Sequence, residues 1–340
     1  MPGTTKTSTT GVVDSYYDEY FSKDLLDKII PLLVLGQFGM KNPLPRNAGA
    51  KTIRMFRFGD PSTADVQSLT EGTPMSSTAY KQLSMSYKEA TLAQYGQVIS
   101  ITDILSATSL FNMLEQANLQ NAQDAALHCD TIIRNVLADS AASGGSHTTG
   151  KNVIYGGAAT GWGTSITVMT STEVLDAVTA LKAKSAPRYG GYYIAAAPPQ
   201  ITRDLMADSA SATTTWKDVA QYSAPDQYYT GEVGRMYGAR FVETTNPWMT
   251  KESATADDEF IYDGSTGDVY STFVFGQNAY GVPDLSGMSP MAPRVSVVQG
   301  PDKADPLNQT TLCGWKTYYA ALYTQPKWMV QIQANTGYGA

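Results

Sequence analysis

Gly145-Ser146-His147-Thr148-Thr149-Gly150-Lys151-Asn152 comes within one position of a phosphate-binding loop. In that motif backbone N–H groups cradle the phosphates, a lysine reaches their outer oxygens, and a final Ser or Thr hydroxyl holds magnesium. Here the final residue is Asn152, which lacks the hydroxyl. The context is also inverted. Phosphate sites place the loop before a helix N-terminus, whereas here a helical pattern precedes the loop and an extended stretch follows. The segment therefore reads as a Gly/Ser loop, and a nucleotide-binding protein is kept only as an alternative. His128 and His147 are the only histidines, and Cys129 and Cys313 the only cysteines. His128 adjoins Cys129 on a helical pattern, where neighbouring residues point apart. No Cys-x-x-Cys or paired-His spacing suggests zinc, and no Gly-x-Ser-x-Gly elbow presents a serine nucleophile. Asp257-Asp258-Glu259 and Asp263-Gly264-Ser265-Thr266-Gly267-Asp268 could attract a cation, but they lack the calcium-loop pattern, and the second reads as a hairpin turn. No catalytic, cofactor-binding or metal-ligating residue is assigned, and the chain is not read as an enzyme.

The surface chemistry points toward partners instead. Of 340 residues, 42% are hydrophobic and only 16% charged. A solvated monomer normally carries a well-charged surface, so other chains are expected to cover much of this one. The 21 tyrosines supply rigid apolar area with a polar tip, which suits interfaces and equally a Tyr-rich β fold. Net charge is −7 with no basic run, so counterion-releasing binding to nucleic acid is not expected. Two cysteines fit a reducing compartment without a disulfide framework. No signal-like N-terminus is visible, and no apolar run approaches about 18 residues.

The chain is organised around residues 102–139, read as one helix without Pro or Gly. Thr102 or Asp103 is a suitable N-cap. Ile104, Ala107, Phe111, Leu114, Ala117, Ala122, Ala126, Cys129, Ile133 and Val136 recur at helical spacing as the buried stripe, with Asn, Gln and Asp on the outer face. Such a helix would span roughly 55 Å, a spine for an elongated subunit.

Before the spine, residues 1–11 are small and polar. A helix is predicted from Asp14 to Ile30, with Tyr17, Phe21 and Leu25 on one face and Pro31 at its end. A Gly/Pro-rich linker runs from Gly36 to Gly49. Residues 51–58 alternate as a strand, with Ile53, Met55 and Arg57 on one face, and a second extended run covers 79–101. Between them lies a polar tip, Gly59 to Thr78, longer than an ordinary hairpin turn needs.

After the spine come a helix at Ser171–Lys184 and a buried strand at Tyr192–Ala197. A helix follows from Gln200 to Asp208, with strands near 231–245, 269–275, 294–298 and 315–333. Gln277–Val282 reads as a short helix or turn. The sum is α+β, antiparallel pieces around one dominant helix.

This order of parts resembles the major capsid proteins of tailed phages, the Hong Kong 97 fold, and local stretches resemble the N-four-like family of phage major capsid proteins. The carrying stretches are Glu71-Gly72-Thr73-Pro74, Tyr95-Gly96-Gln97-Val98-Ile99-Ser100-Ile101-Thr102-Asp103, Phe273-Val274-Phe275-Gly276-Gln277-Asn278-Ala279-Tyr280-Gly281-Val282, and Asp305-Pro306-Leu307-Asn308-Gln309 with Gly314-Trp315-Lys316-Thr317-Tyr318-Tyr319-Ala320. The resemblance implies an N-terminal arm at 1–50, an extended loop at 51–98, a peripheral domain at 99–164 and 286–340, and an axial domain at 165–285. It further implies self-assembly into hexamers and pentamers of an icosahedral head in the virion, assembled in the host cytoplasm. Double-stranded DNA would be enclosed without specific binding, and no membrane is involved. A portal protein and a decoration protein would be partners, and only about a dozen residues precede the arm helix, so a separate scaffolding protein is expected. Contacts between subunits are expected at Tyr17, Phe21, Leu25, Arg54, Arg57, Glu71, Thr73 and Pro74. A cargo-holding encapsulin shell shares the fold and is the other alternative.

Overall fold

The computed structural model describes residues 34–42, 44, 51–59, 66, 68–75, 80–109, 112–138, 152–158, 166–208, 217–218, 229, 231–251, 268–283, 294–298, 300 and 305–338. In chain order the first elements are β1 (Thr52–Phe58), β2 (Met85–Thr91), β3 (Ala93–Thr102), α1 (Asp103–Thr108) and α2 (Met113–Ala138). Then follow β4 (Asn152–Tyr155), α3 (Ser171–Ala183), β5 (Tyr193–Ala197), α4 (Pro199–Ala207) and β6 (Lys217–Asp218). The chain continues with β7 (Glu232–Met236), β8 (Ala239–Glu243), β9 (Trp248–Lys251), β10 (Asp268–Phe275) and β11 (Tyr280–Gly281). It closes with β12 (Arg294–Val298), β13 (Thr310–Tyr319), β14 (Leu322–Tyr323) and β15 (Met329–Ala334). The architecture is mixed α+β.

The centre is an eight-stranded sheet in the order β4-β15-β10-β5-β8-β7-β6, with β9 also paired to β10. β4–β15 and β5–β8 are parallel, and the remaining pairs antiparallel. Both faces are covered at the middle. Tyr193, Ala195, Phe241, Val274 and Val330 pack with Val174 and Leu181 of α3 on one side. Ile194, Ala196, Val242, Phe273 and Phe275 join the α2 side on the other. A strand buried on two faces needs no polar alternation, which is why Tyr193-Ile194-Ala195-Ala196-Ala197 reads as an unbroken apolar run. α3 starts where the Glu173 carboxylate accepts from Thr170 N–H at 2.9 Å and Gly157 N–H at 3.0 Å, so one buried acid holds two backbone donors.

The spine is two helices rather than one. Thr102 caps α1 as expected, accepting from Leu105 N–H at 3.3 Å. The chain then leaves the helix at Ser109 (φ −69°, ψ 140°), and α2 restarts with Asn112, whose side-chain oxygen accepts from Glu115 N–H at 3.4 Å. Thr108, Ser109 and Asn112 are all residues whose short polar side chains compete for backbone partners, so the break is local chemistry overriding an apolar period. α2, at 26 residues, is about 39 Å long. The buried stripe differs accordingly. Ile104 is 71% exposed on α1, and burial begins at Ala117. Within α2 the buried face takes in Asn121, Asp130 and Arg134 beside Ala122, Ala126, Cys129 and Ile133, so part of the polar side assigned to solvent is interior.

A second, three-stranded sheet, β12-β13-β3, lies against α2. β1 and β2 form a separate antiparallel ribbon, Thr52 opposite Thr91 and Phe58 opposite Met85. Its root is anchored by Ile53, Met55, Ala90 and Leu92, which pack with Leu44, Ala320 and Leu322. Gln277–Val282 is a turn leading into β11, which pairs with β14. Among the described residues no helix is long and apolar enough to cross a membrane.

Candidate assembly surfaces

The ribbon sorts its residues by face, as the period-two reading required. Ile53 and Met55 point into the root, while Phe56, Phe58, Met85 and Tyr87 are 60%, 58%, 57% and 52% exposed. Exposure at this level for four large apolar residues of one small ribbon means that the ribbon's own chain does not bury them. They are nonetheless ordered among themselves. The Phe56 and Tyr87 rings lie edge-to-face with centroids 6.2 Å apart. Arg54 donates to Glu89 at 2.6 Å across the strands, and its guanidinium stands 4.8 Å from the Tyr87 ring centre. Thr52 and Thr91 share a hydroxyl bond at 3.1 Å. A cross-strand aromatic pair clamped by an ion pair is held in one arrangement, so covering it would cost little further side-chain entropy.

The remaining expected contact residues divide three ways. Glu71, Thr73 and Pro74 are exposed on a turn closed by Thr73 N–H to Thr70 C=O at 3.2 Å, with Gly72 at φ 76°. Arg57 is instead turned inward, its guanidinium 5.7 Å from the ring centre of Trp328 in its own chain. Tyr17, Phe21 and Leu25 lie outside the described residues, as do residues 145–151 of the Gly/Ser loop, His147, and the acidic stretches at 257–259 and 263–267. Asn152, after the loop, opens β4, so an extended strand follows rather than a helix.

At the root of the N-terminal segment, sequence reasoning missed a buried polar cluster. Leu35 N–H donates to Asp130 Oδ1 at 3.2 Å, and Asn246 Nδ2 to Asp130 Oδ2 at 3.5 Å. Arg134 donates to Asn246 Oδ1 at 2.7 Å and to Pro247 C=O at 3.3 Å. Tyr280 donates its hydroxyl to Leu35 C=O at 2.5 Å, and Tyr189 donates to Phe38 C=O at 2.6 Å. These bonds pin the 34–42 segment to α2, Tyr189 and Tyr280, and tie α2 to the β8–β9 connection. Burial pushes the Asp130 carboxyl up to about 6 against the pull of Leu35 N–H, Asn246 and Arg134. The only available signal was the spacing of Asp130 and Arg134 by one helical turn.

The cysteines are core groups, and the described histidine is half-buried. Burial, and Asp130 beside it, push the Cys129 thiol up to about 12. Cys313 is buried, with its thiol raised by desolvation, and donates to Asn118 Oδ1 at 3.0 Å. Low thiolate character makes both poor nucleophiles. His128 lies edge-to-face with Tyr95 at 4.7 Å, and burial lowers its pKa. Among the described residues no group of three or more His, Cys, Asp or Glu could hold a metal ion.

These parts together define a fold already known in solved structures: that of phage capsid subunits. The capsid of Ralstonia phage GP4 superposes with a TM-score of 0.64 at 12% identity, covering 90% of this chain and 92% of that one. The capsid of cyanophage P-SCSP1u gives 0.58 at 15% identity, with 89% of both chains covered. The head of Helicobacter pylori bacteriophage KHP40 gives 0.58 at 10% identity, with 87% of both covered. No protein-family model matches the sequence, and no curated protein matches it.

Proposed function

We propose that this chain is the major capsid protein of a tailed double-stranded DNA phage, a structural subunit of the Hong Kong 97 type with N-four-like local sequence. The observation that carries the reading is end-to-end superposition on capsid subunits, covering 90% of this chain in the GP4 case. The exposed, pre-ordered aromatic row of the β1–β2 ribbon supports it. In this reading 1–50 is the arm, 51–98 the extended loop, 99–164 with 286–340 the peripheral domain, and 165–285 the axial domain. Copies assemble as hexamers and pentamers around DNA, with a separate scaffolding protein, a portal and a decoration protein as partners, and the shell is part of the virion. The ribbon face docks on a neighbouring copy. Contacts are non-covalent, because residues 60–78 contain no lysine to form an isopeptide bond and buried thiols cannot substitute.

The test is electron microscopy of the chain expressed with its scaffolding protein. Closed icosahedral shells are expected, running as a single band in detergent with or without reductant. A stable monomer under those conditions defeats the reading. Removing residues 59–78 is expected to leave folded subunits that do not close shells.

A further inference from the structure

Residues 34–42 form a strap whose two halves are held differently. The second half is fastened along β11. Met40 N–H donates to Tyr280 C=O at 3.0 Å, and Val282 N–H donates to Met40 C=O at 2.9 Å. Phe38, 4% exposed, sits edge-to-face with Tyr189, Tyr229 and Phe275. The first half rests on Leu35. Its side chain is buried, its N–H donates to Asp130 Oδ1 of α2 at 3.2 Å, and its C=O accepts from the Tyr280 hydroxyl at 2.5 Å. Residues 1–33 lead into this half.

Asp130 is the group in that hold able to change state. A buried carboxylate is costly unless its oxygens are well bonded, and its second oxygen takes a long bond, from Asn246 Nδ2 at 3.5 Å. A proton on the carboxyl removes the charge and still leaves an oxygen to accept from Leu35 N–H. The surroundings supply no competing titration. Cys129 on α2, Tyr280 on β11 and Tyr319 on β13 all feel the Asp130 charge. Burial raises each of them, Cys129 to about 12, so all three stay neutral up to pH 8. Arg134 stays cationic and donates to Asn135, Asn246 and Pro247. His128 packs on Tyr95 instead, and Lys41 of the strap is exposed. The β8–β9 connection brings Asn246 and no ionisable side chain.

We propose that residues 34–36 are a latch, closed on α2 while Asp130 is neutral and loosened when it is charged, with residues 38–42 staying on β11. Opening admits water to the carboxylate and returns it from about 6 to the ordinary 3.8. The closed form therefore holds a proton that the open form releases, and opening is favoured as pH rises. The attachment of residues 1–33 to α2 is thereby set by pH. The latch is a property of the single subunit, beyond the shell reading and independent of it.

The test is hydrogen exchange on the full-length subunit at pH 5 and pH 8, each corrected for the intrinsic exchange rate. The Leu35 amide is expected to lose about tenfold in protection at pH 8, while the Met40 and Val282 amides change far less. Asp130→Asn is expected to abolish the difference at Leu35. Tyr280→Phe, which drops the other bond to Leu35, is expected to lower its protection at both pH values and keep the tenfold ratio. A wild-type Leu35 amide equally protected at both pH values overturns the proposal. So does one that exchanges no faster than Ile194 and Ala196 of the central sheet, since the segment then opens only with the whole subunit. An Asp130→Asn chain that keeps the ratio assigns the titration to another group and overturns it too.

Discussion

The central sheet and the β1–β2 ribbon treat large side chains in opposite ways. In the sheet, Phe241, Val274 and Phe275 are fully buried between α3 and the α2 side. In the ribbon, Phe56, Phe58 and Tyr87 are more than half exposed. β10–β15 in the sheet and β1–β2 in the ribbon are both regular antiparallel pairs, so backbone pairing alone does not decide burial. The difference is where burial takes place. Sheet residues leave water when the subunit folds; in the proposed shell, ribbon residues leave water when subunits meet. A two-stranded ribbon is marginal on its own, and here its root carries the stabilising contacts while its outer row stays exposed.

If the contrast is right, mutations should separate folding from assembly. Phe241→Ala removes a fully buried ring and is expected to cost about 3–5 kcal/mol, seen as a lower denaturant midpoint and lost soluble protein. Phe56→Ala with Tyr87→Ala is expected to leave the isolated subunit within about 1 kcal/mol of wild type, yet to abolish closed shells by electron microscopy. Equal losses of stability from the two would erase the distinction.

The next effect lies at the polar cluster between α2, the 34–42 segment and the β8–β9 connection. Asp130 is 3% exposed, and its folded pKa of about 6 stands above the ordinary 3.8. The folded chain therefore holds a proton that the unfolded chain releases, and wild-type stability falls as pH rises through about 4 to 6. Asp130→Asn keeps an oxygen for Leu35 N–H and removes the buried charge. It is expected to stabilise the subunit at pH 8 by up to about 3 kcal/mol, with the gain vanishing by pH 4. Thermal melts of both proteins across that range check it; a variant destabilised equally at both ends would show that the carboxylate is needed for its bonds alone.

A smaller effect belongs to the core side. Glu173→Ala orphans the Thr170 and Gly157 N–H groups, at an expected cost of about 2 kcal/mol, with shells still forming at permissive temperature. The smallest belongs to the Gly/Ser loop. Lys151→Ala should leave stability and assembly unchanged, and wild type should show no saturable ATP binding by calorimetry. Micromolar binding that the substitution removes would restore the nucleotide reading.

Much of this division was legible beforehand. Alternation in 51–58 put Ile53 and Met55 on one face of β1, and the apolar run at 192–197 predicted a buried strand. The helices expected at Ser171–Lys184 and Gln200–Asp208 correspond to α3 and α4. The failures share a cause. The break between Thr108 and Met113 was overlooked because apolar periodicity runs on through it, while capping by Asn112 acts on the backbone. The burial of Asn121, Asp130 and Arg134 was overlooked because composition marks polar residues as outer.

Local patterns, then, determined the elements: which stretches are helix or strand and which side of each seeks an apolar environment, because propensity and periodicity act within a few residues. Only the tertiary structure decided which polar groups are interior. Asp130 is buried because Leu35, 95 positions away, brings it a backbone donor. Likewise only the three-dimensional arrangement left one face of the ribbon exposed. Hydrogen-bond satisfaction and strand adjacency depend on partners distant in the chain, and no local window contains them.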